Sequence, residues 1–108
     1  MNTIETLKAA RALITKPKHW TRKFFARHKD GSPIGATERN AVCFCPAGAV
    51  EHVLGDKTPL WYDCVSILDY HVPSPYRCTF EFNDNRRTTH AAVLAFFDRA
   101  IAAEEMKL

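Results

Sequence analysis

No apolar run in these 108 residues approaches the ~20 needed to cross a bilayer, which excludes a helical transmembrane protein. The opening residues lack the apolar stretch and cleavage site of a secretory signal, because Glu5, Lys8 and Arg11 interrupt them. A cytoplasmic location is therefore expected. Glycine is scarce, at four residues, and no Walker loop, dinucleotide fingerprint or His-Glu-x-x-His helix occurs. These absences set aside most large cofactor-dependent enzyme classes, so no cofactor is expected. There is no zinc-finger spacing, no glycine-rich RNA motif and no clear recognition helix. Internal repeats, low-complexity tracts and domain linkers are missing too. What remains has the length for one domain, residues 1–108, with 46% hydrophobic and 25% charged residues to build one modest core.

Four cysteines stand at positions 43, 45, 64 and 78. Cys43-Phe44-Cys45 is not the Cys-x-x-Cys knuckle of a zinc site or redox pair, and on a helix those two thiols would point about 200° apart. Cys64, His71 and Cys78 are evenly spaced but match no familiar ligand set. Buried free thiols and no metal are the expectation.

The net charge of +3 conceals an asymmetry. Residues 1–30 carry eight Lys or Arg against two acids, and residues 31–108 carry seven against ten. The basic stretch centres on Lys16, Lys18, Arg22, Lys23 and Arg27. Such a patch focuses field on an acidic protein surface or a phosphate backbone, or is simply a solvated face.

Along the chain, Asn2 and Glu5 have the spacing of a capping box, and Ile4, Leu7, Ala10 and Ile14 mark a helical stripe over about residues 3–15, ended by Pro17. Asp30-Gly31 followed by Ser32-Pro33 is a turn signal and predicts a small hairpin across residues 23–36. A second helix runs to Leu54 and starts either after Asn40 or, given Pro46, near Cys45. Gly55 ends it. Gly48 and Ala49 leave room there for another helix or backbone to come close. Residues 59–70 predict a third helix. Tyr76, Cys78, Phe80 and Phe82 alternate with polar residues and predict a short strand, with a brief helix as the alternative. A closing helix, capped at Thr88 or Thr89, runs to about Glu105. Trp20 and Trp61 are expected in the core. The fold expected is a single compact α+β domain, predominantly helical, with a small β-hairpin or short antiparallel sheet.

Chemistry concentrates in Asn83, Asp84, Arg86, Arg87, Thr88, Thr89 and His90, directly before the last helix. Free N–H groups at that helix start favour an anion, and the arginines suit a phosphate or carboxylate. A structured turn that satisfies the same groups internally is the plainer reading. A third pattern is catalytic: Cys45 as nucleophile near a helix start, His90 as its base, and Asp84 fixing the imidazole. It requires Cys45 and His90 to meet and the thiol to be exposed with a depressed pKa.

Three stretches together resemble a family of small uncharacterised bacterial and bacteriophage domains. They are Ala9-Ala10-Arg11-Ala12-Leu13-Ile14 with Pro17 and His19-Trp20; Phe44-Cys45-Pro46-Ala47-Gly48-Ala49; and Phe82-Asn83-Asp84 with Thr89-His90-Ala91-Ala92-Val93-Leu94 and Phe97-Asp98-Arg99-Ala100-Ile101. The second is similar to that family's Trp-Cys-Ala-x-Gly-Ala signature, and the third to its Asn-Asp turn and Thr-His pair. The resemblance implies that Cys45, Gly48, Asn83, Asp84, Thr89 and His90 belong to one arrangement, structural or functional. It implies no activity. This chain departs from the pattern at Phe44, at Pro46, and at Arg87-Thr88 where the family has Gly-Arg. A site needing that arginine must use Arg86 or Arg87 from another angle, or is absent.

The function expected is a small cytoplasmic protein-binding or regulatory module, with a bacteriophage or mobile-element origin in view. A nucleic-acid-associated accessory protein and a small hydrolase or transferase using Cys45 and His90 are the alternatives. The partner expected is another protein, then nucleic acid; no membrane is involved, and a small anionic ligand suits the 83–90 turn.

Overall fold

The computed structural model describes all 108 residues. Helix α1 (Thr3–Leu13) begins on the expected capping box: Glu5 N–H donates to Asn2 Oδ1 at 2.8 Å, and Asn2 N–H donates back to Glu5 Oε1 at 3.0 Å. It ends two residues before the expected limit. Ile14 and Thr15 N–H instead bond three residues back, at 3.3 Å each, in a narrower last turn as Pro17 approaches. A 3₁₀ turn at Pro17–His19 follows.

Three two-residue strands, β1 (Ala26–Arg27), β2 (Pro33–Ile34) and β3 (Cys43–Phe44), form an antiparallel sheet in the order β2-β1-β3. The predicted hairpin is its β1–β2 half, with Ala26 opposite Ile34. Gly31 takes a φ of 90°, which glycine adopts at little cost, and Asp30 Oδ1 accepts from Ser32 N–H and Oγ at 2.9 and 2.6 Å. Those two bonds hold the Asp30 carboxyl below its usual pKa.

Helix α2 (Pro46–Leu54) starts at the later of the two expected positions. Residues 43 and 44 are committed to the sheet, and Pro46, with no N–H to donate, occupies the first helical turn. Gly55 closes the helix in the left-handed region at φ 82°, its N–H donating to Glu51 O at 2.8 Å. Helix α3 (Pro59–Tyr70) has the expected bounds.

The strand expected over Tyr76–Phe82 is a helix instead, α4 (Thr79–Asp84). Burial explains the difference. Tyr76, Cys78 and Phe80 do not share a buried face, whereas Thr79, Phe82 and Asn83 do, at the spacing of a helix. A carboxylate from α3 also reaches the start of α4, where Thr79 N–H donates to Asp69 Oδ1 at 2.7 Å. Four alternating residues were compatible with either period, and the remote carboxylate and the core decided. Helix α5 (His90–Glu105) is capped by Thr89, whose Oγ1 accepts from Ala92 N–H at 3.1 Å.

The core lies where α1 packs against α2 and α5, with α3 closing over α2. Leu7, Ala10, Ile14, Val50, Cys64, Leu68, Val93, Phe96 and Phe97 are fully buried in it. Trp61 joins the core and satisfies its indole N–H on Ala47 O at 3.0 Å. Gly48 is required by contact: a Cβ there would stand 1.9 Å from the carbonyl oxygen of Phe25. Thus α2 packs directly on the backbone entering β1, the close approach expected at this position.

Candidate functional site

Between α1 and β1 the chain crosses the surface with almost no regular structure, yet hydrogen bonds fasten it at four levels, the first three through polar side chains. At the first, His90 Nε2 lies 2.7 Å from Ile14 O, and since a carbonyl only accepts, Nε2 carries the proton. At the second, the buried Asn83 amide serves two groups: its Oδ1 accepts from Trp20 Nε1 at 2.7 Å, and its Nδ2 donates to Thr21 O at 3.1 Å. At the third, Asp84 Oδ1 accepts from Lys23 N–H at 2.7 Å. Lys23 has a φ of 75°, unusual for a side-chain-bearing residue, and costs roughly 1 kcal/mol that the Asp84 bond helps offset. At the fourth, Phe25 O accepts from Cys45 N–H at 3.1 Å beside the close contact with Gly48.

The motif residues Cys45, Gly48, Asn83, Asp84 and His90 therefore converge on one task. They hold residues 14–25 against α2, α4 and α5, while Thr89 starts the helix that carries His90. Trp20 lies within this clamp rather than in the deep core. Its ring centroid is 5.6 Å from that of His90, and the Arg22 guanidinium sits over the ring, 4.5 Å from the centroid. Sequence reading left Trp20 out of the site. The available signal was its indole N–H, which requires a partner when covered, and Asn83 was the polar side chain near a helix end that supplies one.

The basic residues divide into two groups. Arg22 and Arg27 are half-buried and turn inward: Arg22 Nη2 donates to Thr88 O at 2.6 Å, and Arg27 donates to Thr21 Oγ1, Gly31 O and Arg22 O. Both brace the backbone. Lys16, Lys18 and Lys23, with Arg86 and Arg87 from the turn, are exposed. None of these five takes part in an ion pair; the five ion pairs of the molecule involve Lys8, Arg11, Lys57, Arg77 and Lys107. Since Asp84 accepts from Lys23 N–H and Thr88 O from Arg22, the Arg22-Lys23 pair lies beside the turn that carries Arg86 and Arg87.

Within the 83–90 turn, most polar groups are satisfied internally. Asn85 Oδ1 accepts from Arg87 N–H at 2.9 Å, Asn85 O accepts from Thr88 N–H, and Thr89 is the helix cap. Thr88 is 4% exposed and its hydroxyl has no protein partner, nor does the covered Nε of Arg22. Neither atom is open to solvent, whereas Arg86 and Arg87 of the same turn are exposed.

The triad expectation meets a different geometry. Cys45 is 3% exposed and its Sγ accepts from Gly48 N–H at 3.3 Å as the cap of α2. Burial pushes its thiol up to about 12, against the lowering that the Gly48 N–H provides, and the nearby Asp84 charge adds to the rise. The expected depression at a helix start is thus reversed, because desolvation of a thiolate outweighs one turn of helix dipole. His90 is bound to Ile14 O and Asp84 to Lys23, and no hydrogen bond joins Cys45, His90 and Asp84. All four cysteines are free; Cys45 and Cys64 are buried as expected, while Cys43 and Cys78 are half-buried. No three His, Cys, Asp or Glu side chains gather closely enough to hold a metal ion, and no helix is long and apolar enough to cross a membrane.

Residues 1–103 match the model of a family of unknown function, DUF6197. No curated protein and no solved structure matches.

Proposed function

The chain belongs to the DUF6197 family, and we propose that this member is a small protein-binding module whose clamped basic segment docks on an acidic surface of a partner protein. One observation carries the reading: residues 14–25 are fastened through buried or half-buried Asn83, His90 and Asp84, yet Lys16, Lys18 and Lys23 on the same segment stay exposed and unpaired. A loop held by a rigid scaffold presents its side chains at fixed positions, which lowers the ordering cost of binding. Arg86 and Arg87 extend the charge across the adjoining turn. Exposed lysines favour long-range attraction and fast encounter with an acidic partner over deep burial.

The test is quantitative affinity capture from nuclease-treated extract of the source cells. Wild type is compared with a variant carrying Lys16→Glu, Lys18→Glu, Lys23→Glu, Arg86→Glu and Arg87→Glu. The expected result is a protein recovered in stoichiometric amount by wild type, and lost both in the variant and in about 1 M salt, where the Debye length falls to about 3 Å. Equal recovery by both proteins removes the basic surface from the function. Capture seen in a parallel untreated extract and absent from the nuclease-treated one transfers the surface to nucleic acid, whose affinity falls steeply with salt as phosphate contacts release counterions.

A further inference from the structure

A groove of about 570 Å³ opens between the end of α3, the loop that follows it, and the outer side of α5. Phe82 lies beneath it, 3% exposed and packed against Tyr76 and Phe96 with ring centroids 5.4 and 5.1 Å away, so it offers little surface of its own. Val72 and Pro73 form one apolar wall. The other wall comes from α5, where Ala92, Ala95 and Arg99 follow at spacings of three and four and so share one helix face. The two alanines project only a methyl group each, which leaves the depression, and Arg99 stands at its end. At the rim, Tyr70 is 85% exposed and meets the His71 ring edge-on at 5.2 Å.

The charge of this groove is one-sided. Its lining holds no carboxylate, one permanent cation and one imidazole. The acids that flank Arg99 along α5 are engaged elsewhere: Asp98 receives a two-point contact from Arg11 at 2.8 and 3.1 Å, and Glu104 is paired with Lys107 at 2.8 Å. Arg99 itself has no ion pair. Ring hydrogen bonds are made by His28, His52 and His90, which leaves both nitrogens of His71 without a protein partner. An open depression of this volume, with apolar walls and a few convergent polar groups, has room for a small molecule.

We propose that this groove binds a small aromatic carboxylate. The ring lies between the Val72–Pro73 wall and the two alanines, within reach of the exposed Tyr70 ring at the rim, and the carboxylate meets Arg99, whose planar fork matches it with two parallel hydrogen bonds. His71 supplies a further donor at the rim. The groove shares α4 and α5 with the clamp but none of the five exposed cations, so it stands independently of the docking role proposed above.

The test is amide chemical-shift titration of the full chain with benzoate, phenylacetate and indole-3-acetate, each to about 5 mM, a range that detects millimolar affinity. Indole-3-acetamide is the neutral control. For at least one acid the expected result is a saturable shift confined to residues 70–72, 82 and 92–99. The amide and Arg99→Gln each weaken that binding about tenfold or more, as loss of a charge-assisted hydrogen bond does. Ala95→Leu, an exposed substitution that fills the depression, abolishes it while the dispersed spectrum of the folded protein persists. Absence of shifts with all three acids overturns the proposal. So do shifts spread outside the groove, or equal affinity for acid and amide or for wild type and Arg99→Gln.

Discussion

The α1–α5 interface and the segment from Ile14 to Phe25 lie side by side and are held by opposite means. Between the helices, Leu7, Ala10, Val93, Phe96, Phe97 and Ala100 are fully buried in an apolar contact, edged by the surface ion pairs Arg11–Asp98 and Lys8–Glu105. Residues 14–25 bury little apolar surface in a regular pattern and are fixed by hydrogen bonds, two to Asn83 and one each to Asp84 and His90 among them. Apolar packing supplies most of the stability, because it scales with the area removed from water. Directional polar bonds supply position. A buried amide unsatisfied in every register but one permits only that register.

The sharpest way to break the apolar side is Phe96→Ala. It removes a fully buried ring that touches Phe82 and Phe97, and a loss of about 3–5 kcal/mol is expected in urea unfolding. Gly48→Ala attacks the junction of the two regions. Its methyl meets a backbone carbonyl that has no rotamer to escape into, so a loss at or above about 3 kcal/mol is expected, with amide shifts spreading to Phe25 and β1. Asn83→Ala breaks the polar side. It strands Trp20 Nε1 and Thr21 O, costs about 1–3 kcal/mol, and speeds hydrogen exchange at residues 20–24 well before the α1–α5 core opens. Uniform exchange acceleration across both regions would show that they are one cooperative unit.

Alkaline pH separates the regions more gently. Cys45 keeps its proton in the folded chain up to about 12, whereas the unfolded thiol releases it near 9.0, so between these values the folded state binds one more proton. Stability is therefore intact below about pH 9 and falls as pH rises, by roughly 1 kcal/mol at pH 10 for a thiol so displaced. The check is the pH dependence of the urea midpoint, where Cys45→Ala should show a shallower alkaline decline than wild type. Folded protein should also resist iodoacetamide at Cys45 throughout. The smallest effect is expected at the exposed cations: Lys16→Glu with Lys18→Glu should change stability by less than about 0.5 kcal/mol, since neither residue is paired or buried.

Much of the helical half was readable residue by residue. Asn2 with Glu5, Pro59 and Thr89 act on neighbours one turn away, so their effect needs no knowledge of the rest of the chain. The hairpin followed from Asp30-Gly31 for the same reason. The candidate site was readable only as a set of residues. Asn83, Asp84 and His90 were marked by their polarity before a helix, but their partners lie 61 to 76 positions away, at Trp20, Thr21, Lys23 and Ile14. The residues that flank the turn between α4 and α5 thus reach back to residues 14–23, contacts that no local pattern announces.

Local chemistry by itself determined where the first, third and last helices begin, where Gly31 and Gly55 turn the chain, and that positive charge gathers before residue 30. Each depends on capping, backbone freedom or composition, which operate over a few residues. The tertiary structure decided that residues 79–84 are helical, that the Cys45 thiol is an insulated cap, and that Arg22 and Arg27 brace the backbone while Lys16, Lys18 and Lys23 face outward. These outcomes depend on desolvation and on which distant polar group is within hydrogen-bond reach, and both are set only when the helices close on one core.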